Sequence, residues 1–279
     1  MKRLIMSVAA LATLVAVNAR IAEVSQPQPL LQGVQSNLYN PVLSPDGSKL
    51  MFSAADYTDL RVYDFDLGVT VKVADAPRAG FEARFTEDSR SITYVTTDGT
   101  PGAMHRTFRY DIARRNSVEA GTPSRSKGMN ARSAAGNSVR TRGNVLYLTV
   151  NGVETEYSPV EAAAYLWASL SPDGSKAMFV AAGQGVVVTD LHGNVTASIP
   201  ALEAPVWMGN DLIVGQRSAD DGHQFRSSQI ILARADGSEE QALTAPESMT
   251  FTPAASEAAG RIVYATFDGR LYMVNVTLK

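Results

Sequence analysis

Cysteine is absent from the 279 residues. The chain can therefore form no disulfide, and it offers neither thiolates for a zinc site nor an N-terminal cysteine for a lipid anchor. Histidine is scarce, and His105, His192 and His223 are far apart without metal-ligand spacing. Neither a G-x-S-x-G nor an H-E-x-x-H segment occurs, which removes the usual nucleophile elbow and the zinc-protease motif. The sequence thus predicts no metal site and no catalytic residue of these common classes.

Long apolar runs are also missing, except near the N-terminus. There Met1–Arg3 is basic, residues 4–17 are apolar, and Val17–Ala19 places small residues at −3 and −1. This pattern predicts a secretory signal peptide over residues 1–19, cleaved after Ala19. The alternative, an uncleaved anchor, needs a longer apolar run of about 20 residues. Cleavage would change the formal net charge from −3 to −3 − 2 = −5. Export without disulfides favours a periplasmic or secreted bacterial protein, and no transmembrane segment is expected after cleavage.

One six-residue segment, SPDGSK, occurs twice, at Ser44–Lys49 and Ser171–Lys176. Each copy leads into a short apolar run that reaches an aromatic residue, Phe52 or Phe179. Pro-Asp-Gly is typical of a tight turn between two strands. Two copies so far apart indicate a structural repeat.

An apolar strand like the one that follows the SPDGSK turn recurs along the chain and defines six units. Their third apolar positions are Phe52, Tyr94, Tyr147, Phe179, Val214 and Tyr264. The span 264 − 52 = 212 residues, over five intervals, gives a mean unit of about 42 residues. Each unit continues with further short strands, and runs such as GVVVT are apolar enough to be buried on both faces. Four short antiparallel strands in about 40–45 residues are typical of a propeller blade.

The predicted fold is therefore all-β, a six-bladed β-propeller forming one domain over residues 29–279, with residues 20–28 as a lead-in. The last unit ends at Lys279 without a fourth strand. We expect Pro29–Val34 to pair there, so that an N-terminal strand closes the last blade and covers its edge. Trp167 and Trp207, each in a first strand, are expected to pack between blades.

The SPDGSK turn followed by an apolar-aromatic strand, in units of about 42 residues, resembles the WD40-like PD40 repeats of TolB-type six-bladed propellers. The resemblance covers roughly residues 28–279 and is clearest at Pro41–Ser53 and Trp167–Val180. It implies a periplasmic or cell-surface propeller that presents loops and a central funnel to protein partners. No catalytic residue of related families maps onto this sequence.

Two polar loops between second and third strands are expected to open on the same face of the ring. One is Thr97–Arg106 and the other is Gln216–Ser228. Loops on a rigid scaffold often carry binding groups. The predicted binding residues are Asp98, His105, Arg106, Asp220, Asp221 and His223.

These features predict an exported, non-enzymatic scaffold that binds another envelope or cell-surface protein or a glycan, without a cofactor and without nucleic acid. The alternative is a small propeller hydrolase or lyase that acts on a sugar or lactone with a divalent cation. It requires the carboxylates and histidines to converge in the channel. The stretch from His105 to Arg142 contains nine lysine and arginine residues and only two acidic residues. It is either a docking flank for an anionic surface or a set of solvated loops.

Overall fold

The computed structural model describes residues 20–33, 37–100, 102–125, 131–132, 136–142 and 144–279. This part of the chain forms six antiparallel sheets arranged in a ring, a six-bladed β-propeller as predicted. The predicted signal peptide, residues 1–19, lies outside it. Within the described ranges, no helix is long and apolar enough to span a membrane.

The strands follow one another as antiparallel meanders. The N-terminal pair is β1 (Ala22–Val24) and β2 (Gln28–Pro29). Blade 1 consists of β3 (Tyr39–Leu43), β4 (Lys49–Ser53), β5 (Leu60–Asp64) and β6 (Val69–Ala74). Blade 2 consists of β7 (Arg84–Phe85), β8 (Ser91–Thr96), β9 (Arg106–Asp111) and β10 (Asn116–Glu119). Blade 3 consists of β11 (Ala131–Arg132), β12 (Ser138–Arg142), β13 (Val145–Val150) and β14 (Val153–Tyr157).

The second half of the ring is more regular. Blade 4 consists of β15 (Tyr165–Leu170), β16 (Lys176–Ala181), β17 (Gly185–Asp190) and β18 (Val195–Pro200). Blade 5 consists of β19 (Glu203–Met208), β20 (Leu212–Asp220), β21 (Phe225–Arg234) and β22 (Glu240–Ala242). After a 3-10 helix (Pro246–Ser248), blade 6 consists of β23 (Thr250–Ser256), β24 (Arg261–Thr266) and β25 (Leu271–Leu278).

The hydrophobic core is divided among the seams between blades. In the described part, five clusters join blades 1–2, 3–4, 4–5, 5–6 and 6–1. In β17, Val186 and Val188 pack against blade 5, whereas Val187 packs against blade 3. Successive side chains of a strand point to opposite faces, so a strand between two neighbours needs an unbroken apolar run. This confirms the prediction for GVVVT.

The repeated turn folds as its residues predict. The Oδ1 atom of Asp46 accepts hydrogen bonds from the Ser44 hydroxyl (2.6 Å) and from the backbone N–H of Ser48 (3.0 Å). Gly47 has a left-handed φ of 69°, and its N–H donates to the Ser44 carbonyl at 2.8 Å. The copy at Ser171–Lys176 makes the same three bonds.

Each copy of the turn is also bound by the next blade. The backbone N–H of Asp46 donates to the Ser89 hydroxyl of blade 2 (3.2 Å), and that of Asp173 donates to Oδ1 of Asn210 in blade 5 (3.0 Å). The motif therefore joins blades as well as closing a hairpin.

An N-terminal strand closes blade 6, but its position differs from the prediction. β1 pairs with Val276–Leu278, and β2 pairs with Tyr272 and Met273. Within the described part of the predicted segment Pro29–Val34, Pro29 pairs and the Leu30 N–H donates to Leu271. The closing strand thus lies mainly upstream of the predicted segment, and its residues Ile21 and Ala22 pack in the seam between blades 5 and 6.

Blade 3 departs from the strand pattern of the other five blades. The other five marker residues of the repeat lie on second strands, whereas Tyr147 lies on β13, the third strand of blade 3. The second strand of this blade is β12. The sequence of β12, SVRTR, hides its role because Val139 is its one apolar residue. Tyr147 instead lies under the Arg140 guanidinium, with 4.5 Å from the Arg140 Cζ to the ring centre.

Candidate functional site

The strand order gives the propeller two chemically different faces. The connections from second to third strands and from one blade to the next form the loop face. The connections from first to second and from third to fourth strands form the turn face. Residues 97–100 and 102–105 of blade 2 and residues 221–224 of blade 5 belong to the loop face.

In blade 2, Asp98 and Arg106 are engaged by residues of their own loop and strands, whereas the His105 side chain is not. Asp98 accepts hydrogen bonds from the Thr100 hydroxyl (2.7 Å) and backbone N–H (2.9 Å), and these bonds lower the pKa of its carboxyl group. Arg106 forms a bidentate pair with Glu119 (2.9 and 2.6 Å). The Nδ1 atom of half-buried His105 is buried and has no hydrogen-bond partner.

In blade 5, the carboxylates cap the tip of the long β20–β21 hairpin. Asp220 accepts a backbone N–H two residues further on (2.8 Å). Asp221 accepts the backbone N–H groups of Gln224 (2.9 Å) and His223 (3.0 Å) and pairs with Arg226. The bonds from Gln224 and His223, followed by Arg226, lower the pKa of Asp221.

The structure does not bring the two polar groups together. Blades 2 and 5 lie opposite each other in a ring of six, and in the described chain no hydrogen bond or ion pair joins the two loops. Within the same residues, no three His, Asp or Glu side chains are grouped so as to hold a metal ion. The carboxylates act locally, as caps of their own turns.

A feature that the sequence analysis missed is a phenylalanine cluster on the loop face. Phe225 begins β21, Phe251 lies near the start of β23, and Phe267 follows β24. The ring centres of Phe225 and Phe251 are 5.2 Å apart, and those of Phe251 and Phe267 are 6.3 Å apart. Phe225 is 45% exposed and Phe267 is 67% exposed. An exposed apolar cluster of this kind often marks an interaction site.

Aromatic residues continue along the loop face into blades 1 and 2. The Tyr39 hydroxyl donates to the Phe267 carbonyl at 3.0 Å. Tyr57 packs edge-to-face on Phe81 at 5.2 Å, and the Arg78 guanidinium lies 4.3 Å from the centre of the Phe81 ring. Together, these residues extend over four consecutive blades. We term them the aromatic arc: Phe225, Phe251, Phe267, Tyr39, Tyr57 and Phe81.

Bulges in the first strands position part of this surface. The pairing of β3, β15, β19 and β23 with their second strands shifts register near the loop face. At each shift one residue has a left-handed φ of 44–52°: Asn40, Trp167, Ala204 and Thr252. A bulge bends a strand and re-aims its side chains. Tyr39 and Phe251 directly precede two of these left-handed residues.

The bulge also explains a wrong prediction. Trp207 packs against the seam between blades 4 and 5, as expected. Trp167 does not pack between blades: it is 52% exposed, with a left-handed φ of 51°, on the first strand of blade 4. A signal for the bulges was present in the sequence, because Pro41, Pro205 and Pro253 follow three of the four left-handed residues.

Comparison with solved structures shows the same architecture. TolB from Acinetobacter baumannii is similar with a TM-score of 0.56 at 16% identity, over 78% of this chain and 57% of that chain. The chain is a TolB-like six-bladed β-propeller. An oligogalacturonate lyase in complex with manganese is similar with a TM-score of 0.53 at 12% identity, over 88% and 90%. The tricorn protease is similar with a TM-score of 0.54 at 17% identity, over 86% of this chain and 25% of that chain.

The TolB-like chain spans little more than half the TolB chain and a quarter of the tricorn protease. A scan of protein-family models and a search of curated proteins gave no match. At 12–17% identity the similarity establishes the fold alone. Function must be inferred from the residues of this chain.

Proposed function

We propose that this protein is an exported, non-enzymatic scaffold that binds a protein partner of the bacterial envelope at its loop face. The observation that carries the proposal is the aromatic arc, above all the exposed rings of Phe225 and Phe267. Aromatic side chains lose little conformational freedom on binding, and they are enriched in the cores of protein interfaces. Export rests on the predicted signal peptide at residues 1–19.

The polar residues of the loop face support a binding role. Asp98, Asp220 and Asp221 are engaged in turn capping, and the carboxylate–histidine groups lie on opposite blades. A catalytic site would need such groups within contact of one substrate. At the edge of an interface, the same residues would provide a polar rim around the aromatic arc.

The test is affinity capture of the tagged protein from the envelope fraction of its own cells, followed by identification of what is retained. The double variant Phe225→Ala/Phe267→Ala should lose the partner, with an affinity decrease of about tenfold or more, because truncated aromatic hot spots typically cost this much. Leu67→Ala is the matched control, because Leu67 is 71% exposed on the turn face. Its capture profile should equal that of the wild type.

Other outcomes would assign the loop face differently. If the double variant retains every partner at the wild-type level, the aromatic arc is not the docking surface. If a soluble oligosaccharide displaces the captured material, the ligand is a glycan. If the purified protein turns over a sugar or lactone when a divalent cation is added, the hydrolase or lyase alternative replaces the scaffold.

A further inference from the structure

The apolar seam between blades 5 and 6 ends in two buried polar side chains just below the loop face. Val214 of β20 and Ile230 of β21 belong to the core cluster of this seam. Two residues nearer the loop face, on the same sides of these strands, lie Gln216 and Ser228, which are 8% and 0% exposed. An apolar residue at either position would simply continue the seam, so the polar side chains need a separate explanation.

Both side chains bind the backbone of blade 6, one on each side of Phe251. The Ser228 hydroxyl donates to the Thr250 carbonyl at 2.6 Å, and the Thr252 N–H donates to Oε1 of Gln216 at 2.8 Å. Burying a polar group costs free energy unless it is hydrogen-bonded. These two polar groups make their bonds to the residues that flank one ring of the aromatic arc. The backbone at Phe251 is therefore held on both sides by blade 5.

The bond to Gln216 also fixes the left-handed residue of the β23 bulge. Thr252 has a φ of 47°, and the pairing of β23 with β24 shifts register beside it. A left-handed φ is unfavourable for a β-branched residue and persists only where the surroundings impose it. Because a bulge re-aims neighbouring side chains, this bond sets the direction of Phe251. That ring lies between Phe225 and Phe267, with ring centres 5.2 and 6.3 Å away.

The amide group of Gln216 is held at its other end as well. Its Nε2 atom donates to the Ser218 hydroxyl oxygen at 3.3 Å and lies 3.5 Å from Oε2 of Glu203. The Ser218 hydroxyl donates to the same Oε2 atom at 3.0 Å. A carboxylate accepts hydrogen bonds, so Glu203 keeps Nε2 on its own side and leaves Oε1 facing Thr252. Connected hydrogen bonds of this kind make a buried network rigid.

We propose that Gln216 and Ser228 are positioning residues of the aromatic arc, which hold Phe251 between Phe225 and Phe267 and keep the three rings in one preformed surface. The inference rests on the proposed loop-face function, because it concerns how that surface is built. A preformed surface has less conformational freedom to lose on binding. The two residues therefore act on binding through Phe251, from below the surface.

The first measurement is made on the free protein. Gln216→Leu continues the apolar seam but removes the acceptor of the Thr252 N–H. Amide hydrogen exchange at Thr252 should become about two- to tenfold faster, the factor that corresponds to one net hydrogen bond. The nuclear Overhauser contacts between the rings of Phe225 and Phe251 should weaken in the same variant.

A second variant and a control accompany it. Ser228→Ala removes the donor to the Thr250 carbonyl with little change in volume, so it tests the positioning even if Gln216→Leu does not fold. It should also weaken the ring contacts. Thr189→Val is the matched control, because Thr189 is a buried threonine at the turn-face end of β17. It should leave the ring contacts and the exchange at Thr252 unchanged.

Exchanging the two side-chain types separates hydrogen bonding from packing. Gln216→Glu keeps an acceptor for the Thr252 N–H but brings two carboxylates together, because Glu203 is adjacent. It should weaken the ring contacts. The double variant Glu203→Gln/Gln216→Glu restores one amide and one carboxylate at this contact, so ring contacts and exchange at Thr252 should return towards wild type. A role in packing alone predicts no such recovery.

Binding is measured in the capture experiment on the envelope fraction. Gln216→Leu and Ser228→Ala should each bind the proteins that Phe225→Ala/Phe267→Ala loses about threefold or more weakly than the wild type does, because Phe251 must then be ordered on binding. Thr189→Val should bind them as the wild type does.

Two results overturn the inference. One is unchanged exchange at Thr252 together with unchanged ring contacts in the variants of Gln216 and Ser228. The other is wild-type capture by both of these variants of the proteins that Phe225→Ala/Phe267→Ala loses. Failure of the loop-face function itself is recognised separately, because Phe225→Ala/Phe267→Ala then retains every partner while the measurements on the free protein still decide the positioning.

Discussion

Replacing Gly47 with alanine tests how the ring is closed between its first and last blades. Gly47 lies in the repeated turn of blade 1 and packs against the corresponding turn of blade 6. A Cβ atom at this position would lie 2.3 Å from the Cβ of Ala259 and 2.7 Å from the Ser256 hydroxyl. Ordinary carbon contacts are about 3.5–4.0 Å, so the two turns would have to move apart by more than 1 Å, as a rough estimate from that difference.

Two terms contribute to the expected loss of stability. The φ of 69° at Gly47 costs alanine about 1–2 kcal/mol. Overpacking against a backbone-attached methyl group adds about 1–3 kcal/mol. Gly68, in another turn of the same blade, isolates the first term, because its φ is 66° and nothing lies within 4 Å of its Cβ position. Gly47→Ala should therefore destabilise the protein by about 1–3 kcal/mol more than Gly68→Ala.

The assay is urea unfolding, with the free energy of unfolding taken from linear extrapolation. A further variant, Ala259→Gly, removes the facing methyl group. Its effect on the free energy of unfolding is measured both in the wild type and in Gly47→Ala. In Gly47→Ala it should be more favourable than in the wild type, because it relieves the contact between the two methyl groups. Equal destabilisation by the two glycine substitutions, with no restoration by Ala259→Gly, would show that blades 1 and 6 are not in close contact at this turn.

Two further predictions concern the closing strand and the repeated turn. The side chain of Gln241 in blade 5 accepts a hydrogen bond from the Ala22 N–H and donates one to the Ala22 carbonyl, both at 3.0 Å, and Ala22 is buried. Gln241→Ala should therefore lower the free energy of unfolding by about 1–3 kcal/mol and speed amide hydrogen exchange at Ala22–Val24. Unchanged exchange would refute this. Burial raises the pKa of Asp46, but hydrogen bonds from Ser44 and Ser48 outweigh it and lower the pKa to about 2, below the ordinary value of 3.8. The stabilisation by Asp46 should therefore be complete above about pH 4 and be lost towards pH 2. In urea titrations across this range, Asp46→Asn should cost about 1 kcal/mol at neutral pH, allowing for solvent screening, and the difference should shrink on acidification; a pH-independent difference would contradict the assignment.

The regular part of the fold was predictable because local and tertiary signals agree in it. At Ser44–Lys49 the same residues close the turn, take the left-handed φ and begin a buried strand. Blade 3 lacks this agreement. Its second strand has a polar sequence, so the apolar run that marks this unit, Val145–Val150, is its third strand instead. Periodicity alone cannot number the strands when one strand of a blade is mostly polar.

The closing strand and the aromatic arc depend on contacts that no local pattern reports. Leu30 and Leu31 look like the apolar strand that blade 6 lacks, yet they pack in the seam between blades 6 and 1. Ile21 and Ala22 take the other seam. The rings of Phe225, Phe251 and Phe267 are far apart in sequence and meet because blades 5 and 6 are adjacent.

The six predicted binding residues were chosen because their side chains are charged or can bind ligands. Their location on the loop face was predicted from their position between the second and third strands of a blade. Carboxylates next to glycine in a loop can bind a ligand or cap a turn, and the sequence does not distinguish the two. In the structure, Asp98 and Asp221 accept bonds from residues two or three positions further on. These bonds within their own turns account for both carboxylates without a ligand.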